Sequence, residues 1–488
     1  MSNQEDVLKK VVSHAKEYGF VFQSSELYDG LSAVYDYGQN GVELKNNIKN
    51  YWWKAMVHLH ENIVGIDTAI FMHPKVWKAS GHIDGFSDPM IDNKDSKKRY
   101  RADQLLEEQA DKYEKKGKTD KAETILKEMN ACLNDENMQG LYDLIVAHEI
   151  ACPVSGTRNW TDVKQFNLMF HTEMGAVAED SNKVYLRPET AQGIFVNFLN
   201  VQKTGRLKIP FGIAQIGKAF RNEIIARQFI MRMREFEQME MQFFVRPGEQ
   251  TKWYEYWKKA RLDWHFSLGI SPTNYRYHIH QKLAHYADAA VDIEYQFPFG
   301  FKEIEGIHSR TDFDLKQHQE HSNKKIQYFD SEINENYIPY VVETSIGLDR
   351  IFLVLLCNSY TEETITNGDK TDTRTVLKLP AFLAPIKVAI FPLVKKDGLP
   401  EKAREIMDSL RLHFNCFYEE KDTVGKRYRR HDAIGTPFCI TIDYETLTDN
   451  MVTIRHRDTM QQTRVAISDL LSIIDKEVNP IYALQNLV

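Results

Sequence analysis

The segment Phe220–Phe244, FRNEIIARQFIMRMREFEQMEMQFF, constrains the fold strongly because polar and apolar side chains alternate along its second half. Side chains on a β-strand point alternately to opposite faces, so this pattern predicts a strand over Phe236–Phe244. One face would carry Phe236, Gln238 and Glu240. The opposite face would carry Met239, Met241 and Phe243. One polar and one apolar face are typical of an antiparallel sheet that covers a core on one side.

The first half of the same segment predicts another strand, over Ile213–Glu223, with Arg221 and Glu223 on one face. The intervening loop carries three arginines, Arg227, Arg232 and Arg234. This combination suits a nucleotide, because guanidinium groups bind phosphate, carboxylates accept from an adenine amino group, and aromatic rings stack on the base. The alternative is a hairpin whose outer face is salt-bridged and solvated.

The composition is typical of a soluble globular protein with two or three domains: 488 residues, 42% hydrophobic and 27% charged. The net charge of −7 neither indicates nor excludes nucleic-acid binding, since a local basic patch can act on an acidic protein. The five cysteines form no C-x-x-C pair, so we expect neither zinc nor disulfides. No signal core or run of membrane-spanning length occurs, and we expect a cytoplasmic protein.

The N-terminal third predicts a long amphipathic helix over Val42–Asn62 and a strand over Ile66–Met72 that Pro74 stops. This arrangement indicates either a dimer-interface element over Val42–Pro74 or a core helix without an oligomeric role. Polar, charged sequence follows, and it predicts a mostly helical insertion at about residues 88–150, including a helical hairpin over Ala102–Asn130.

The remaining sequence predicts antiparallel strands with flanking helices, which favours the α+β class over a doubly wound sheet. Gly347, Leu348, Asp349 and Arg350 open an apolar helix. After Pro380, strands and helices alternate for about a hundred residues, which predicts a separate small α/β domain. The predicted domains are therefore residues 1–380, which include the insertion, and residues 386–488.

Together, the long helix with Pro74, the FRNE segment, the GLDR helix start and the C-terminal α/β domain resemble the class II aminoacyl-tRNA synthetases. The resemblance is closest to glycyl-tRNA synthetases of the homodimeric type, and it covers nearly the whole chain. The sequence blocks that carry it are FMHPKVWKASGH (Phe71–His82), LRPETAQGIF (Leu186–Phe195), REFEQME (Arg234–Glu240), DIEYQFPFG (Asp292–Gly300), ETSIGLDR (Glu343–Arg350) and GKRYRRHDAIGTPFC (Gly425–Cys439). Thr344 stands where the family usually has proline, and the loop Ile224–Gln228 also differs from many relatives.

The resemblance implies an antiparallel catalytic sheet, a helical insertion and a C-terminal anticodon-binding domain. It also implies an ATP-dependent reaction that activates glycine as glycyl-adenylate and transfers it to the 3′ end of tRNA(Gly). The implied partners are glycine, tRNA(Gly) and a second copy of the chain, with ATP and magnesium as cofactors and without zinc or a membrane.

The resemblance assigns ATP binding to residues in three regions of the sequence. Arg221 would bind the α-phosphate and Glu223 the adenine amino group, while Phe236 would stack on the adenine. Arg350 would cover the other side of the ring or hold the γ-phosphate, and Arg221 and Arg350 would be the catalytic residues. Glu303 would also bind magnesium through ATP. The other implied ATP-binding residues are Asn222, Met231, Arg232, Ile304, Gly347 and Asp349.

The implied glycine site is a group of acids around the substrate ammonium. A buried carboxylate needs a positive partner, which the ammonium supplies, and a side-chain methyl group would collide with so tight a site. No natural amino acid is smaller than glycine, so we expect no editing domain. The implied residues are Arg101, Glu189, Phe236, Glu240, Glu343 and Ser345.

The densest basic cluster lies in the predicted helix Val424–Ala433, and it would hold anticodon phosphates while Tyr428 stacks on a base. Its cations are Lys426, Arg427, Arg429 and Arg430. A solvated helix face is the alternative. Two other functions stay open: a class II synthetase for threonine, serine or proline, and a catalytically silent RNA-binding or DNA-polymerase accessory protein. The presence of Arg221, Glu223 and Arg350 argues against a silent protein.

Overall fold

The computed structural model describes residues 2–175, 183–224, 228–280, 283, 287–367 and 370–487. Two compact bodies make up the chain. The first body contains Met1–Ile70, Glu189–Ala219 and Ala226–Val488, and the second contains Phe71–Pro188 and Phe220–Ile225. In the described part of the chain, no helix is long and apolar enough to span a bilayer.

The α-helices of the described residues are labelled in chain order. They are α1 (Ser2–Glu17), α2 (Gln39–Trp53), α3 (Pro74–Ala79), α4 (His82–Gly85), α5 (Ala102–Glu114), α6 (Thr119–Asn134), α7 (Met138–Ala147), α8 (Ala191–Gly205), α9 (Gln250–Ser267), α10 (Phe313–Ser322), α11 (Leu348–Ser359), α12 (Leu399–Leu410), α13 (Val424–Ile434), α14 (Thr446–Asp449), α15 (Leu470–Val478) and α16 (Ile481–Leu484). A π-helical turn, Lys54–His58, continues α2.

The strands of the same residues are labelled in the same way. They are β1 (Val21–Gln23), β2 (Tyr35–Tyr37), β3 (Ile63–Gly65), β4 (Phe71–Met72), β5 (Ser87–Asn93), β6 (Lys98–Arg101), β7 (Lys164–Asn167), β8 (His171–Glu173), β9 (Lys183–Leu186), β10 (Phe211–Phe220), β11 (Glu235–Val245), β12 (Tyr275–Ile279), β13 (Ala289–Phe297), β14 (Gly300–Thr311), β15 (Tyr328–Asp330), β16 (Glu335–Tyr337), β17 (Tyr340–Gly347), β18 (Tyr360–Asn367), β19 (Lys370–Leu377), β20 (Val388–Pro392), β21 (Cys416–Tyr418), β22 (Phe438–Ile442), β23 (Met451–His456) and β24 (Gln462–Ala466).

The main sheet of the first body has the strand order β12-β13-β14-β17-β11-β10-β3 within the described residues. The pairs from β12 to β11 are antiparallel, and β10 runs parallel to β3. One face packs on a hydrophobic core that includes α2, α9 and α11, and the α11 side chains from Ile351 to Leu356 are buried there. The antiparallel sheet and its covering helices confirm the α+β class.

Strand β11 confirms the alternation predicted from the sequence. Met239, Met241 and Phe243 lie in the core that α11 covers. Glu240 and Gln242 lie on the opposite face, and both are buried. The polar face of this strand is therefore a buried surface of charged and amide groups, whereas the alternative hairpin would have a solvated outer face.

Two predicted strand boundaries are wrong. Strand β10 ends at Phe220, so Arg221 and Glu223 lie beyond it and do not share a strand face. The predicted strand Ile66–Met72 is wrong over most of its length, because β3 ends at Gly65 and only Phe71–Met72 form a strand, β4. In the second case Ile66 still donates its amide to Ala214 O, but the chain then leaves the sheet.

The apolar stripe of the predicted dimer helix lies inside the first body. Leu44, Ile48, Tyr51 and Trp52 on α2 are buried in the main core. Burial of that stripe accounts for its periodicity without a second subunit. The stripe is therefore a core feature, as the second interpretation of this helix predicted.

A buried ion network ties α9 to the core face of β14. Arg261 and His265 contact the carboxylate of Glu305 at 2.5 and 2.7 Å, and all three side chains are buried. Burial opposes the charged form of Glu305, but Arg261 and His265 outweigh it and hold the pKa of Glu305 below its usual value.

This network predicts an acid-dependent loss of stability. Because the pKa of Glu305 is lower in the folded state, its contribution is present above about pH 4.5 and is lost as the pH falls through the folded value. We expect Glu305→Gln to remove this part of the pH slope in urea unfolding. Glu255→Gln, at an exposed position on α9, is the control. Equal slopes for Glu305→Gln and the unmodified protein would contradict the assignment.

The C-terminal part of the first body forms a sheet with the order β21-β20-β22-β23-β24 among the described residues. Strand β20 pairs in parallel with β21 and β22, while β23 pairs antiparallel with β22 and β24. Helices α12 and α15 contribute to its hydrophobic core. The hairpin β18–β19 precedes this sheet in the sequence and was not predicted. Helix α13 packs on β19.

The second body combines helices with small sheets. Helices α5 and α6 form the predicted hairpin, and α7 packs against both. The described strands also form sheets of order β6-β5-β7 and β4-β9-β8. The insertion expected at about residues 88–150 is therefore not only helical, because β5 and β6 lie within it. Ile91 on β5 packs in the same hydrophobic core as the helices.

Candidate active site

Strand register brings residues from four strands into one row on the polar face of the main sheet. Asp292 is paired with Gly306, Gly306 with Ser345, and Ser345 with Glu240. Two of the smallest residue types therefore lie between two carboxylates. A Cβ added to Gly306 would lie 3.1 Å from the ring of His308, so glycine keeps this part of the floor open.

The neighbouring row brings two buried carboxylates together. His308 is paired with Glu343, and Glu343 with Gln242. The side-chain amide of Gln242 donates to Glu240 Oε1 and Glu343 Oε2, in both cases at 2.7 Å. Glu240 is 1% exposed and Glu343 is 4% exposed. The two acids therefore point toward a shared donor and not away from each other.

Two basic side chains stabilise the charged form of Glu343. His308 Nδ1 lies 2.9 Å from Glu343 Oε1, and Arg310 donates to Glu343 Oε2 at 3.0 Å. Arg310 also pairs with Asp314 on α10, at 2.9 Å. Burial opposes ionisation of Glu343, but Arg310 and His308 outweigh it, so the pKa of Glu343 lies below its usual value.

Glu240 has the opposite tendency. The hydroxyl of Thr190 and the amide of Gln242 are its hydrogen-bond donors. Burial, followed by the nearby carboxylates of Glu343 and Glu189, raises the pKa of Glu240 well above its usual value. A buried carboxylate with a strongly perturbed pKa beside a charged partner marks a candidate functional site.

Two other residues of the first body that were predicted to bind glycine, Glu189 and Ser345, lie near Glu240 and Glu343. Glu189 accepts from Gln192 at 2.9 Å, and Gln192 also donates to Asp314 at 3.0 Å. The hydroxyl of Ser345 accepts from Gln238 at 3.2 Å. Their proposed contacts with glycine stay predictions.

Three of the predicted ATP-binding residues, Met231, Arg232 and Phe236, lie near the start of β11. Phe236 is half-buried on that strand and packs at the edge of the main core. Met231 ends a short helical turn, Phe229–Met231, and Arg232 is exposed after it. These positions leave stacking by Phe236 a prediction, while Arg227 lies outside the described residues.

At the start of α11, Gly347 and Arg350 are close together. A Cβ added to Gly347 would lie 3.2 Å from the side-chain stem of Arg350. The guanidinium of Arg350 pairs with Glu303 Oε1 at 3.0 Å and donates to Glu303 O at 3.0 Å. Arg350 and Glu303 are both accessible, so a phosphate or a metal ion can compete for either of them.

The structure contradicts ATP binding by the side chain of Asp349. It is buried, pairs with Lys45 at 3.1 Å, and accepts from the hydroxyl of Tyr37 and from Glu237 N. Its carboxylate instead joins α2, β2 and β11 to α11. Ile304 needs a similar correction, because its side chain is fully buried in the main core and leaves only its backbone for a nucleotide.

The second body contains the other predicted residues. Arg221 donates from Nε to Pro188 O at 3.0 Å, and its guanidinium lies 5.5 Å from the ring centre of Phe86. Asn222 donates its amide to Leu168 O, and Glu223 donates its amide to Arg221 O. Arg101 pairs with Asp88 and Asp103. Their roles toward ATP and glycine stay predictions.

The basic helix α13 divides into structural and accessible cations. Arg427 is 2% exposed and donates to carbonyl groups that include Pro392 O at 2.6 Å, so it is not an RNA-binding side chain. Tyr428 bonds Thr441 and packs on Arg455, which contradicts base stacking by its ring. The accessible side chains are those of Lys426, Arg429 and Arg430.

The accessible arginines of α13 make surface ion pairs. Arg429 pairs with Asp372 at 2.8 Å, and Arg430 pairs with Asp422 at 2.9 Å and with the partly buried Glu419 at 2.5 Å. Exposed pairs of this kind contribute little stability and can be exchanged for a phosphate. An RNA contact by Lys426, Arg429 and Arg430 therefore stays a prediction.

The sequence did not identify several residues that build the acid cluster around Glu240 and Glu343. They are Thr190, Gln192, Gln242, His308, Arg310 and Asp314. The sequence predicts a strand over Phe301–Ile307, whereas β14 continues to Thr311 and carries His308 and Arg310. The alternation of GIHSR after EIE was the available signal for this longer strand.

Three family models match successive parts of the chain. They are "Glycyl-tRNA synthetase insertion domain 1" over residues 88–168, "tRNA synthetase class II core domain (G, H, P, S and T)" over 170–359, and "Anticodon binding domain" over 387–477. A solved structure, "Crystal Structure of the RNA binding domain of Threonyl-tRNA synthetase from Cryptosporidium parvum Iowa II", has the same fold, with a TM-score of 0.62, 14% identity, and coverage of 95% of this chain and 97% of that one. The fold is that of a class II aminoacyl-tRNA synthetase.

Curated relatives define the family within that class. The "Glycine--tRNA ligase" of Chlorobaculum tepidum is 52% identical over 463 residues, covering 94% of this chain and 98% of that one. Relatives of the same name from Geobacillus thermodenitrificans and Borreliella burgdorferi are 50% and 52% identical, each covering 96% of this chain and 97% of the relative. The chain belongs to the glycine–tRNA ligase family.

Proposed function

We propose that this chain is a glycine–tRNA ligase that activates glycine with ATP and transfers it to tRNA(Gly). The observation that carries the proposal is the pair of buried carboxylates, Glu240 and Glu343, bridged by Gln242 on the sheet floor beside Ser345. Two neighbouring buried carboxylates can both be ionised only when a cation offsets their charge, and the ammonium of an amino acid supplies that cation.

The size of the floor favours glycine over larger amino acids. Gly306 and Ser345 lie between Asp292 and Glu240, so small residues separate the two carboxylates, and we assign the α-carbon of glycine to this part of the floor. A methyl group there would have to displace buried, hydrogen-bonded carboxylates. Selection by such steric exclusion needs no editing of a smaller competitor, because none exists among the natural amino acids.

The first chemical step joins glycine to the nucleotide. A carboxylate oxygen of glycine attacks the α-phosphorus of ATP, and pyrophosphate leaves. Arg221 would neutralise charge on the α-phosphate, Arg350 would hold the γ-phosphate or the adenine ring, and Phe236 would stack on that ring. Positioning and charge neutralisation carry this kind of phosphoryl chemistry.

Magnesium would arrive with ATP rather than occupy a protein cage. Among the described residues, no group of at least three histidine, cysteine or acidic side chains is arranged to hold a metal ion. The carboxylate of Glu303 is accessible, and Mg²⁺ typically takes one or two carboxylates together with substrate phosphates. Bound there, the ion would offset phosphate charge.

In the second step, the terminal ribose hydroxyl of tRNA attacks the glycyl carbonyl and AMP leaves. We assign residues 1–380 to catalysis and residues 386–488 to the anticodon, with contacts from Lys426, Arg429 and Arg430. A homodimer would use outward side chains of the Val42–Pro74 region, such as Val42 and Leu59, since its apolar stripe is buried. The cytoplasm is the proposed location, where tRNA charging supplies translation.

Pyrophosphate exchange into ATP with a panel of amino acids tests this function. We expect exchange that depends on glycine. Exchange with serine, threonine or proline but not with glycine would favour another class II synthetase. No exchange with any amino acid would favour the silent RNA-binding or polymerase accessory protein.

A change on α13 should separate tRNA binding from activation. We expect Lys426→Ala combined with Arg429→Ala to raise the KM for tRNA about tenfold or more, since a charge-assisted hydrogen bond contributes about 1.5 kcal/mol. Glycine-dependent exchange should not change. Lys476→Ala, at an exposed position on α15, is the control, and equal losses of charging and exchange would contradict an anticodon role.

A further inference from the structure

Basic side chains are distributed unevenly in the acid cluster. Glu343 contacts His308 at 2.9 Å and Arg310 at 3.0 Å. Arg310 is also shared with Asp314, at 2.9 Å. Within the described residues, no cation contacts Glu240, whose donors are the neutral groups of Thr190 and Gln242.

The surroundings of Glu240 therefore favour its protonated, neutral form. Glu343 on β17 and Glu189 ahead of α8 present negative charge to Glu240 and raise its pKa. Arg310 on β14 opposes this effect from a distance, but its salt bridges go to Glu343 and Asp314, and the net pKa of Glu240 is still raised. His308, also on β14, contacts Glu343 Oε1, whereas Gln242 donates to the other oxygen, Glu343 Oε2. Two carboxylates that share one buried site cannot both ionise without an added cation.

We propose that Glu240 carries a proton while the amino acid pocket is empty and releases it when a substrate ammonium enters. This inference rests on the proposed function, because it assigns the ammonium of glycine to the space beside Glu240. The raised pKa of Glu240 that burial and the neighbouring acids cause is consistent with it.

The step balances in atoms and charge. The empty site holds Glu240 as a neutral acid and Glu343 as a carboxylate, and glycine arrives as a zwitterion. On binding, the proton of Glu240 passes to solvent, and the carboxylate that remains pairs with the ammonium. Binding therefore adds two buried charges of opposite sign, the Glu240 carboxylate and the substrate ammonium. A buried ion pair costs less free energy than a single unpaired buried charge.

The same exchange would allow the pocket to work without a permanent cation at Glu240. A permanent cation there would occupy the place of the ammonium and would have to leave on binding. A proton on Glu240 instead removes the negative charge of that residue while the pocket is empty, and it can leave when the ammonium binds. It also makes the affinity for a cationic amino group increase with pH below the pKa of Glu240 in the empty site.

Calorimetry with an adenylate analogue tests the inference directly. The probe is glycyl sulfamoyl adenosine, titrated into the full-length protein at about pH 6.5, where its α-amino group is protonated. Buffers with different ionisation enthalpies report the protons released. Acetyl sulfamoyl adenosine, which lacks the ammonium, is the matched ligand.

We expect about one more proton to be released with the glycyl analogue than with the acetyl analogue. In Glu240→Gln the difference should vanish, and binding of the glycyl analogue should weaken. In His308→Asn the difference should persist, because His308 is not the proton donor. Infrared difference spectra of the unmodified protein should show loss of a protonated carboxyl group on binding, a readout that needs no variant.

Three outcomes would overturn the inference. Equal proton release with both analogues would show that Glu240 is already ionised in the empty pocket. A difference that survives in Glu240→Gln and disappears in His308→Asn would assign the proton to His308. In either case glycine-dependent exchange would persist and the proposed function would stand, whereas failure to bind the glycyl analogue, together with no exchange, would overturn both.

Discussion

Arg221→Ala should reduce glycine-dependent pyrophosphate exchange about a hundredfold to a thousandfold, the size of effect seen when one preorganised charge-stabilising donor is removed. Charge on the α-phosphate rises as pyrophosphate departs, and a planar guanidinium can neutralise it through two parallel hydrogen bonds. Alanine would leave that charge to water. We expect the loss mainly in kcat for exchange, because the contact strengthens in the transition state.

Controls for this variant separate charge from structure. Arg221→Lys keeps one positive charge but loses the two-pronged geometry, so an intermediate rate is expected. Arg158→Ala removes an exposed arginine of the same body and should leave the exchange rate unchanged. Unfolding curves of all three variants should match that of the unmodified protein. An exchange rate for Arg221→Ala within about twofold of normal would contradict its place on the phosphate, since one such donor contributes about a hundredfold or more.

Asp432→Asn should have the largest effect on stability. Asp432 is fully buried and pairs with Arg374 at 2.8 Å and Arg455 at 2.8 Å. Arg374, on the hairpin β18–β19, is also fully buried and pairs with Glu363 at 2.7 Å. Removing the charge of Asp432 would take from Arg455 and Arg374 the buried carboxylate that they share, although Arg374 would keep Glu363. Breaking a buried pair in this way typically costs about 3–5 kcal/mol.

Hydrogen exchange of backbone amides can locate this loss. We expect amides of α13, β19 and β23 to exchange faster in Asp432→Asn, because that carboxylate joins these elements. Asp408→Asn on α12 is the control, since Asp408 is exposed and pairs with the exposed Arg411. A change in local opening free energy below about 1 kcal/mol, the level of a surface pair, would contradict the importance of the network.

Alternation and helix periodicity predicted the elements that carry the site. The face shared by Gln238 and Glu240, the apolar face of Met239 and Met241, and the helix that follows Gly347 were predicted correctly. These features depend on neighbours close in sequence, and burial on one side of an element leaves a period in the sequence. Such patterns are readable without knowledge of what the element packs against.

The predictions that failed concern side chains whose contacts come from residues distant in the sequence. Asp349 and Arg427 have the sequence appearance of accessible charges, but Lys45 pairs with the first and backbone carbonyl groups surround the second. The same reason applies to Tyr428, whose ring packs on Arg455. Whether a charged side chain faces a ligand or a structural partner depends on strand register and helix packing, and neither is visible in a single sequence.

The acid cluster shows how much depends on register. Glu240 and Glu343 were predicted as glycine ligands through the resemblance, but nothing in their spacing indicated that Gln242 bridges them. His308 and Arg310 were missed because the strand was predicted to end at Ile307, before the residues that pair with Glu343 and its neighbours. The protonation asymmetry of the two acids follows from those missed contacts.

A crystal structure of the protein with glycyl sulfamoyl adenosine would test the central claim most directly. The account predicts that the ammonium nitrogen lies within hydrogen-bonding distance, about 2.7–3.2 Å, of Glu240 and Glu343, above the row that contains Gly306 and Ser345. It also predicts that the adenine stacks on Phe236. An ammonium directed away from both carboxylates, or an analogue bound elsewhere on the chain, would contradict it.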